Sequence, residues 1–168
     1  MRHILVMGIC GTGKSTVAGL LADRMARPLV EADTYHSQDA VAAMSRGEAL
    51  TDDHRWDWLD RVADAAAGQA GSVIACSALK RAYRARLEDR LGPLDVVFLH
   101  GTRALIEERM SSRTNHYMPA SLIDSQLADL EPPQGPDVLP LDIAEPLDRT
   151  LDAAHQFATR PRADARAD

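Results

Sequence analysis

Five short apolar runs alternate with longer amphipathic stretches along this chain of 168 residues. The apolar runs are HILVM (3–7), PLVEAD (28–33), SVIACS (72–77), LDVVFLH (94–100) and DVLPLDI (137–143). Such runs are typical of strands that both faces of a parallel sheet bury. The alternation predicts an α/β protein with a five-stranded parallel sheet flanked by helices. Pro140 places the fifth strand at an edge or a bulge, because proline has no N–H to donate.

Helical spacing fills the stretches between the strands. Val17, Leu20, Leu21 and Met25 recur at helical intervals after the first apolar run. The other predicted helices are 36–70 with breaks at Gly47 and Gly68, 78–91, 103–112, 120–130 and 146–158. We predict one domain over residues 1–158, followed by a disordered tail over 159–168, because the tail has no apolar face.

Composition narrows the class of protein. The net charge of -6 argues against nucleic acid or an anionic membrane as the main partner, because both require a basic face. Two cysteines make no disulfide framework, and the six histidines lack the spacing of a structural zinc site. The sequence shows no signal peptide and no long apolar span, so we expect a cytoplasmic domain.

A glycine-rich segment between the first strand and the first helix fits the phosphate-binding pattern G-x-x-x-x-G-K-[ST]. Backbone N–H groups of such a loop and the N-terminus of the following helix attract phosphate. Lysine occurs at only two positions of the chain, 14 and 80. Lys14 is expected on the β- and γ-phosphates of ATP, and the Ser15 hydroxyl on Mg²⁺. The predicted nucleotide contacts in this loop are Gly8, Gly11, Thr12, Gly13, Lys14, Ser15 and Thr16.

Acidic residues end the second predicted strand. The carboxyl ends of parallel strands face the phosphate site, and strand alternation puts Glu31 and Asp33 on the same side. A carboxylate there can hold the water shell of Mg²⁺ or accept a proton from an attacking hydroxyl. His36 follows just beyond.

Five motifs together resemble the gluconokinases. They are MGICGTGKSTVAGLLA, EADTYH, MSRGEALTDDHRWDWL, VIACSALKRAYRARL and RTNHYMPASLIDSQLADLEPP, in the family's order over about residues 1–154. The resemblance implies a three-layer P-loop kinase fold with a small lid at about 113–120. It also implies ATP-dependent phosphorylation of D-gluconate on its 6-hydroxyl, and it suggests a homodimer.

The resemblance further implies roles for individual residues. Asp33 matches the carboxylate that contacts the acceptor hydroxyl, and Glu31 stands near Mg²⁺. Arg109 and Arg113 match arginines that lead into the lid, with Arg113 expected on the transferring phosphoryl group. Asp142 lies in the segment that approaches adenine. The matched acceptor-region positions are Asp33, His36, Arg55, Lys80, Arg84 and His116.

Lys80 and Arg84 carry a more specific expectation. Lys80 is expected to pair with the carboxylate of gluconate, and Arg84, one helical turn on, to face the same way. The chain also departs from the family pattern near the acceptor region. The departures are Glu31, Ser37, Ala40, Ala49, His54 and Asp57, where the family usually has Asp, Pro, Asn, Pro, Asp and Pro.

Two other functions fit the same motifs. One is a kinase for another small polyol acid such as shikimate. The other is a nucleotide-binding switch protein that hydrolyses ATP slowly and binds a protein partner. The lid motif and the Lys80/Arg84 pair favour a kinase.

Overall fold

A five-stranded parallel sheet forms the centre of the protein. The computed structural model describes residues 1–48, 50–112 and 120–162. The strands are β1 (Ile4–Met7), β2 (Leu29–Glu31), β3 (Val73–Ala75), β4 (Asp95–His100) and β5 (Val138–Asp142), in the spatial order β2-β3-β1-β4-β5. The predicted strand number and parallel direction are confirmed. Pro140 lies in β5, which is an edge strand as predicted.

Seven α-helices in the described residues connect and cover the strands. They are α1 (Lys14–Met25), α2 (Gln38–Ser45), α3 (Asp52–Ala67), α4 (Arg81–Leu91), α5 (Arg103–Ser111), α6 (Ala120–Asp129) and α7 (Leu147–Thr159). The predicted breaks are confirmed, because α2 ends shortly before Gly47 and Gly68 caps α3. The Ser37 hydroxyl, one of the departures from the family pattern, caps α2 by accepting the Ala40 N–H at 3.1 Å. No helix among the described residues is both long and apolar enough to cross a membrane.

Apolar side chains fill both sides of the sheet. Ile4 and Val6 of β1 belong to the cluster that includes residues of α1 and α7, whereas Leu5 and Met7 belong to the cluster beneath α3 and α4. Successive strand residues point to opposite faces, so both sets are buried. This two-sided burial explains why the strands read as continuous apolar runs.

The strand order puts the glycine-rich loop at a crevice. β1 pairs with β3 on one side and with β4 on the other, and the chain visits these two sides in turn. The loop after β1 therefore leaves the sheet where the direction of winding changes. Ligands of open parallel sheets bind at such a point, beyond the carboxyl ends of the strands.

The second strand is shorter than predicted, which corrects the placement of Asp33. β2 ends at Glu31, and residues Ala32–Tyr35 form a turn of 3₁₀-helix. The indole N–H of the buried Trp58 donates to the Ala32 carbonyl at 2.7 Å and holds this turn. Strand alternation therefore does not relate Glu31 to Asp33, and that reason for placing them on one side is wrong, although both carboxylates act on Lys14.

The C-terminal boundary also differs from the prediction. Helix α7 extends to Thr159, and beyond it Arg160 contacts Asp95 at 3.2 Å and Asp137 at 3.0 Å. Arg162 also pairs with Asp95, whose side chain is 2% exposed. A buried carboxylate requires such partners. Residues 159–162 therefore pack on the domain, and residues 163–168 of the predicted tail lie outside the described residues.

Candidate active site

The glycine-rich loop forms a cradle whose backbone only glycine accommodates at two points. A Cβ atom on Gly8 would lie 2.5 Å from the Leu99 carbonyl oxygen, so the loop leaves β1 in close contact with the neighbouring strand. Gly13 precedes α1 with φ of 86°, and nothing lies within 4 Å of the position of its absent Cβ. The space beside Gly13 is therefore open next to the N-terminus of α1, where the helix favours an anion.

Side chains of the loop hold its shape from within. The Thr12 hydroxyl donates to the Ile9 carbonyl at 2.7 Å, and Lys14 Nζ donates to the same oxygen at 3.1 Å. Burial lowers the pKa of Lys14, whereas Asp33 and Glu31 are among the groups that act in the opposite direction. The lysine ammonium therefore lies within electrostatic reach of both carboxylates predicted for this site.

A cavity of about 290 Å³ lies on one side of the cradle. Its lining residues are Gly11, Thr12, Gly13, Thr16, Val17, Leu99, Arg109, Ser112, Ile143, Glu145, Leu147 and Thr150. Apolar walls and a few polar groups beside a phosphate cradle suit a nucleoside. The Arg109 guanidinium donates to the Ile143 carbonyl across this cavity.

Asp142 does not line this cavity, although its neighbour Ile143 does. The exposed Asp142 carboxylate instead accepts the Ala144 N–H at 2.9 Å and holds the turn after β5. The predicted segment is therefore at the nucleoside cavity, but the predicted side chain has a local structural contact. The turn chemistry of aspartate explains this placement.

A second cavity of about 470 Å³ has Lys14 in its wall. Its lining residues are Cys10, Lys14, Asp33, His36, Met44, Leu50, Arg55, Trp58, Ser77, Leu79, Tyr83, Leu122, Ser125, Gln126 and Asp129. We call it the acceptor cavity. Three predicted acceptor-region residues meet here, Asp33 and His36 from the turn after β2 and Arg55 from α3. Lys14 reaches it from the cradle, so the phosphate site and the acceptor cavity share one cation.

Aromatic side chains fix the orientation of His36 and Arg55. The His36 ring stacks on Trp58 with centroids 4.6 Å apart, and burial lowers the pKa of His36 although Asp33 opposes the shift. The Arg55 guanidinium donates to the Tyr83 hydroxyl at 2.7 Å and lies 5.7 Å from the centre of the same ring. A guanidinium that one contact already orients loses little freedom when it binds a carboxylate.

The structure corrects the expected placement of Arg84. The side chain is buried, and its guanidinium donates to the carbonyl oxygens of Ala78 at 2.8 Å, Leu79 at 3.0 Å and Glu131 at 2.8 Å. Arg84 does not line the acceptor cavity. Its role is structural, because these bonds join the β3–α4 turn to the segment after α6.

Lys80 does not line the acceptor cavity, although it lies near one residue of its wall. It precedes α4, and its ammonium is 5.8 Å from the centre of the Tyr83 ring, which does line the cavity. Helical spacing alone therefore did not bring Lys80 and Arg84 to one face, because Lys80 has extended backbone and stands outside the helix.

Replacement of Arg84 by methionine is expected to lower the free energy of unfolding by about 3 kcal/mol, because several buried carbonyl groups lose a charged donor. Urea denaturation measures this change. The matched control is Arg86→Met on the same helix, where an exposed ion pair with Asp60 is lost. Arg86→Met should lower the free energy of unfolding by less than about 1 kcal/mol. A stable Arg84→Met protein with a raised KM for the acceptor would instead restore the substrate role.

Helix α6 supplies acceptor-cavity residues that the sequence interpretation did not single out. Leu122, Ser125, Gln126 and Asp129 face the cavity from this helix. The sequence contained an indication of these residues, because all four lie within the RTNHYMPASLIDSQLADLEPP motif that resembles the gluconokinases. Their function was not readable, since only tertiary packing brings α6 against the phosphate loop.

Two predicted residues of the lid, Arg113 and His116, lie outside the described residues. Ser15 is exposed near the start of α1, and Glu31 is half-buried at the end of β2. The described residues contain no cluster of three or more His, Cys, Asp or Glu side chains able to hold a metal ion. Within the described chain, a cation at the cradle would therefore depend on phosphate oxygens and water for most of its ligands.

Known proteins resemble both the sequence and this arrangement. A family model described as an AAA domain matches residues 4–133. A gluconokinase from Gluconobacter oxydans is 41% identical over 136 residues, which cover 79% of this chain and 76% of that protein. The chain belongs to the gluconokinase family. The predicted family is thereby confirmed.

Solved structures extend the likeness of this gluconokinase-family chain to the fold. A gluconokinase from Sinorhizobium meliloti 1021 has 40% identity and a TM-score of 0.86, covering 93% of this chain and 90% of that one. A sugar kinase from Janibacter sp. HTCC2649, solved without ligand, has 41% identity and a TM-score of 0.83, covering 94% of each chain. The predicted P-loop kinase fold is therefore confirmed.

Proposed function

We propose that this gluconokinase-family enzyme transfers the γ-phosphoryl group of ATP to the 6-hydroxyl of D-gluconate. The observation that carries the proposal is that the cradle adjoins both cavities: Gly11, Thr12 and Gly13 line one, and Lys14 lines the other. One cavity suits a nucleoside, and the other presents a carboxylate, Asp33, and a cation, Arg55, to a small anionic acceptor.

The proposed transfer is direct and needs no covalent enzyme intermediate. The acceptor oxygen forms a bond to the γ-phosphorus as the bond from that phosphorus to the bridging oxygen of ADP breaks. Asp33 accepts the proton that the hydroxyl loses. Lys14 and the amides of the cradle neutralise negative charge on the phosphoryl oxygens, so catalysis rests on positioning and electrostatic stabilisation.

Magnesium fits the residues around the cradle. Mg²⁺ in kinases is held mainly by phosphates and water, with one or two protein oxygens. In this chain those oxygens would come from Ser15 directly and from Glu31 through water. When bound there, Mg²⁺ would neutralise negative charge on the phosphates. Arg113 and His116 remain proposed lid residues, and residues 113–120 the proposed lid.

Arg55 is the best placed cation for the carboxylate of gluconate. Of the described Lys and Arg side chains, only Lys14 and Arg55 line the acceptor cavity, and Lys14 serves the phosphates. Asp33 lines the same cavity, and we assign it to the hydroxyl at the other end of the acceptor. This assignment replaces Arg84 and leaves Lys80 outside the residues that line the cavity.

Replacement of Arg55 by alanine is expected to raise the KM for gluconate about 10–150-fold, the worth of a charge-assisted hydrogen bond. The KM for ATP should change little, because the acceptor carboxylate is remote from the nucleotide. The carboxylate keeps its charge throughout the reaction, so kcat should fall less than KM rises. Steady-state kinetics on gluconate and on uncharged sorbitol measure these effects, and sorbitol turnover should be nearly unaffected.

Two further variants sharpen the Arg55 test. Lys80→Ala should have a smaller effect on the KM for gluconate, because Lys80 does not line the cavity. Arg61→Ala is the matched control, since this exposed arginine on the same helix pairs only with Asp57 among the described residues. An unchanged KM for gluconate in Arg55→Ala, together with a raised KM in Lys80→Ala, would return the carboxylate to Lys80.

Acceptor-dependent release of ADP tests the function as a whole. Gluconate, shikimate and other sugar acids are offered with MgATP, and gluconate should give the highest kcat/KM. Faster turnover with shikimate would favour the other polyol-acid kinase. A switch protein would hydrolyse ATP at a rate that no acceptor stimulates, an outcome that membership of the gluconokinase family does not favour.

A further inference from the structure

Gln126 connects helix α6 to the phosphate cradle. Its Oε1 atom accepts the backbone N–H of Cys10 at 2.7 Å, although 116 positions separate the two residues. Because a backbone N–H can only donate, the amide atom that faces it must be the oxygen. The side chain orientation of Gln126 is therefore determined by the cradle itself.

The other end of the same amide is available to a substrate. Gln126 and Lys14 both line the acceptor cavity. No described residue accepts a hydrogen bond from Gln126 Nε2, and this nitrogen is not among the buried polar atoms without a partner. Two N–H donors thus lie at the boundary between the cradle and the acceptor cavity, where a phosphoryl group would pass.

The position of Gln126 is also well supported. The Glu131 carboxylate, just beyond α6, accepts the Arg81 N–H at 2.6 Å, and the Glu131 N–H donates to the Leu79 carbonyl at 2.9 Å. Arg84 holds the Glu131 carbonyl as well. These contacts fix the C-terminal end of α6 against the β3–α4 turn, and Gln126 lies about one turn before that end.

We infer that Gln126 is a further catalytic residue: its Oε1 is held by the Cys10 amide while its Nε2 donates to an oxygen of the phosphoryl group in transfer. The inference rests on the proposed function. A donor aimed at phosphoryl oxygens acts on the transition state, in which those oxygens carry spread negative charge. Gln126 therefore contributes to kcat and only slightly to the binding of gluconate.

The test compares Gln126→Glu, Gln126→Ala and wild-type protein on gluconate and MgATP. Glutamate keeps the shape of the side chain and still accepts the Cys10 N–H, but it replaces the donor with negative charge. We expect kcat to fall about 10–150-fold in Gln126→Ala, as for loss of a charge-assisted hydrogen bond, and further in Gln126→Glu. The KM for gluconate should change less than threefold in both.

The pH profile separates donation from a purely structural contact. Protonation of the introduced glutamate restores an O–H donor, so the ratio of wild-type to Gln126→Glu kcat should shrink as the pH falls from 8 to 5. The other titratable or charged groups that line the cavity are common to both proteins, so their titration affects both rates; they are Cys10, Lys14, Asp33, His36, Arg55, Tyr83 and Asp129. Ser121→Ala, an exposed change on α6, is the control for the helix.

Each outcome of this test has a clear meaning. A Gln126→Glu enzyme with the kcat of Ser121→Ala would overturn the inference and leave Gln126 as a support for the cradle. A kcat ratio that does not change with pH, or a raised KM for gluconate with unchanged kcat, would overturn it too. Inactive wild-type protein on gluconate would instead overturn the proposed function. Circular dichroism of each variant establishes that the fold is retained.

Discussion

Replacement of Lys14 by alanine is expected to lower kcat by at least about 10²–10³-fold while the fold is retained, because a preorganised charge on the phosphoryl oxygens is lost. Lys14 Nζ is held inside the cradle by the Ile9 carbonyl, so its position is set before the substrate binds. The ammonium is also the cation common to the cradle and the acceptor cavity. Initial rates with saturating MgATP and gluconate measure the loss.

Two controls accompany the Lys14 variant. Lys80→Ala removes the other lysine of the chain and should retain most of kcat. Lys14→Arg preserves the charge but brings a planar guanidinium into a narrow loop, so it should remain strongly impaired. Near-normal turnover in Lys14→Ala would contradict the phosphate-cradle assignment, provided that circular dichroism shows a folded protein.

Replacement of Asp33 by asparagine is expected to reduce kcat about 10²–10⁴-fold, the usual contribution of a positioned general base. Asparagine preserves the size of the side chain but cannot accept the proton of the acceptor hydroxyl. The KM values for ATP and gluconate should change much less than kcat. The loss should appear on gluconate and on sorbitol alike, because both acceptors present a hydroxyl to the same carboxylate.

Asp39→Asn is the matched control for Asp33. Asp39 is an exposed carboxylate in the first turn of α2, outside the acceptor cavity, and the substitution changes the net charge equally. Its kcat should equal that of the wild type within about twofold, as is usual for surface changes. If the two variants lose activity equally, the effect is one of net charge, and Asp33 is not the base.

Local sequence patterns predicted the fold because strand burial and loop conformation each depend on residues close together in the chain. The apolar runs correspond to strands that are buried on both faces, as the alternation of Ile4 and Leu5 between two clusters shows. The glycine-rich loop was readable for a similar reason. Its conformation depends on glycine at fixed spacing, and its chemistry depends on adjacent residues.

Patterns failed where a distant contact overrides the local preference. The end of β2 was predicted too late, because the indole of Trp58 holds the Ala32 carbonyl in a turn. The tail was predicted to begin too early, because the buried Asp95 recruits Arg160 and Arg162. Neither contact leaves a trace in the sequence near the residues that it changes.

The sequence by itself determined the α/β class, the cradle around Lys14 and the resemblance to a kinase family, since each depends on residues close together in the chain. Only the tertiary structure decided which charged side chains face a ligand. Arg55 and Arg84 are both arginines within motifs of the acceptor region, and the sequence does not distinguish their roles. In the structure Tyr83 orients Arg55 in the wall of the acceptor cavity, whereas the buried Arg84 donates to three backbone carbonyl groups. The contact between Gln126 and Cys10 likewise arises from packing, because a buried backbone N–H must find a partner wherever the fold provides one.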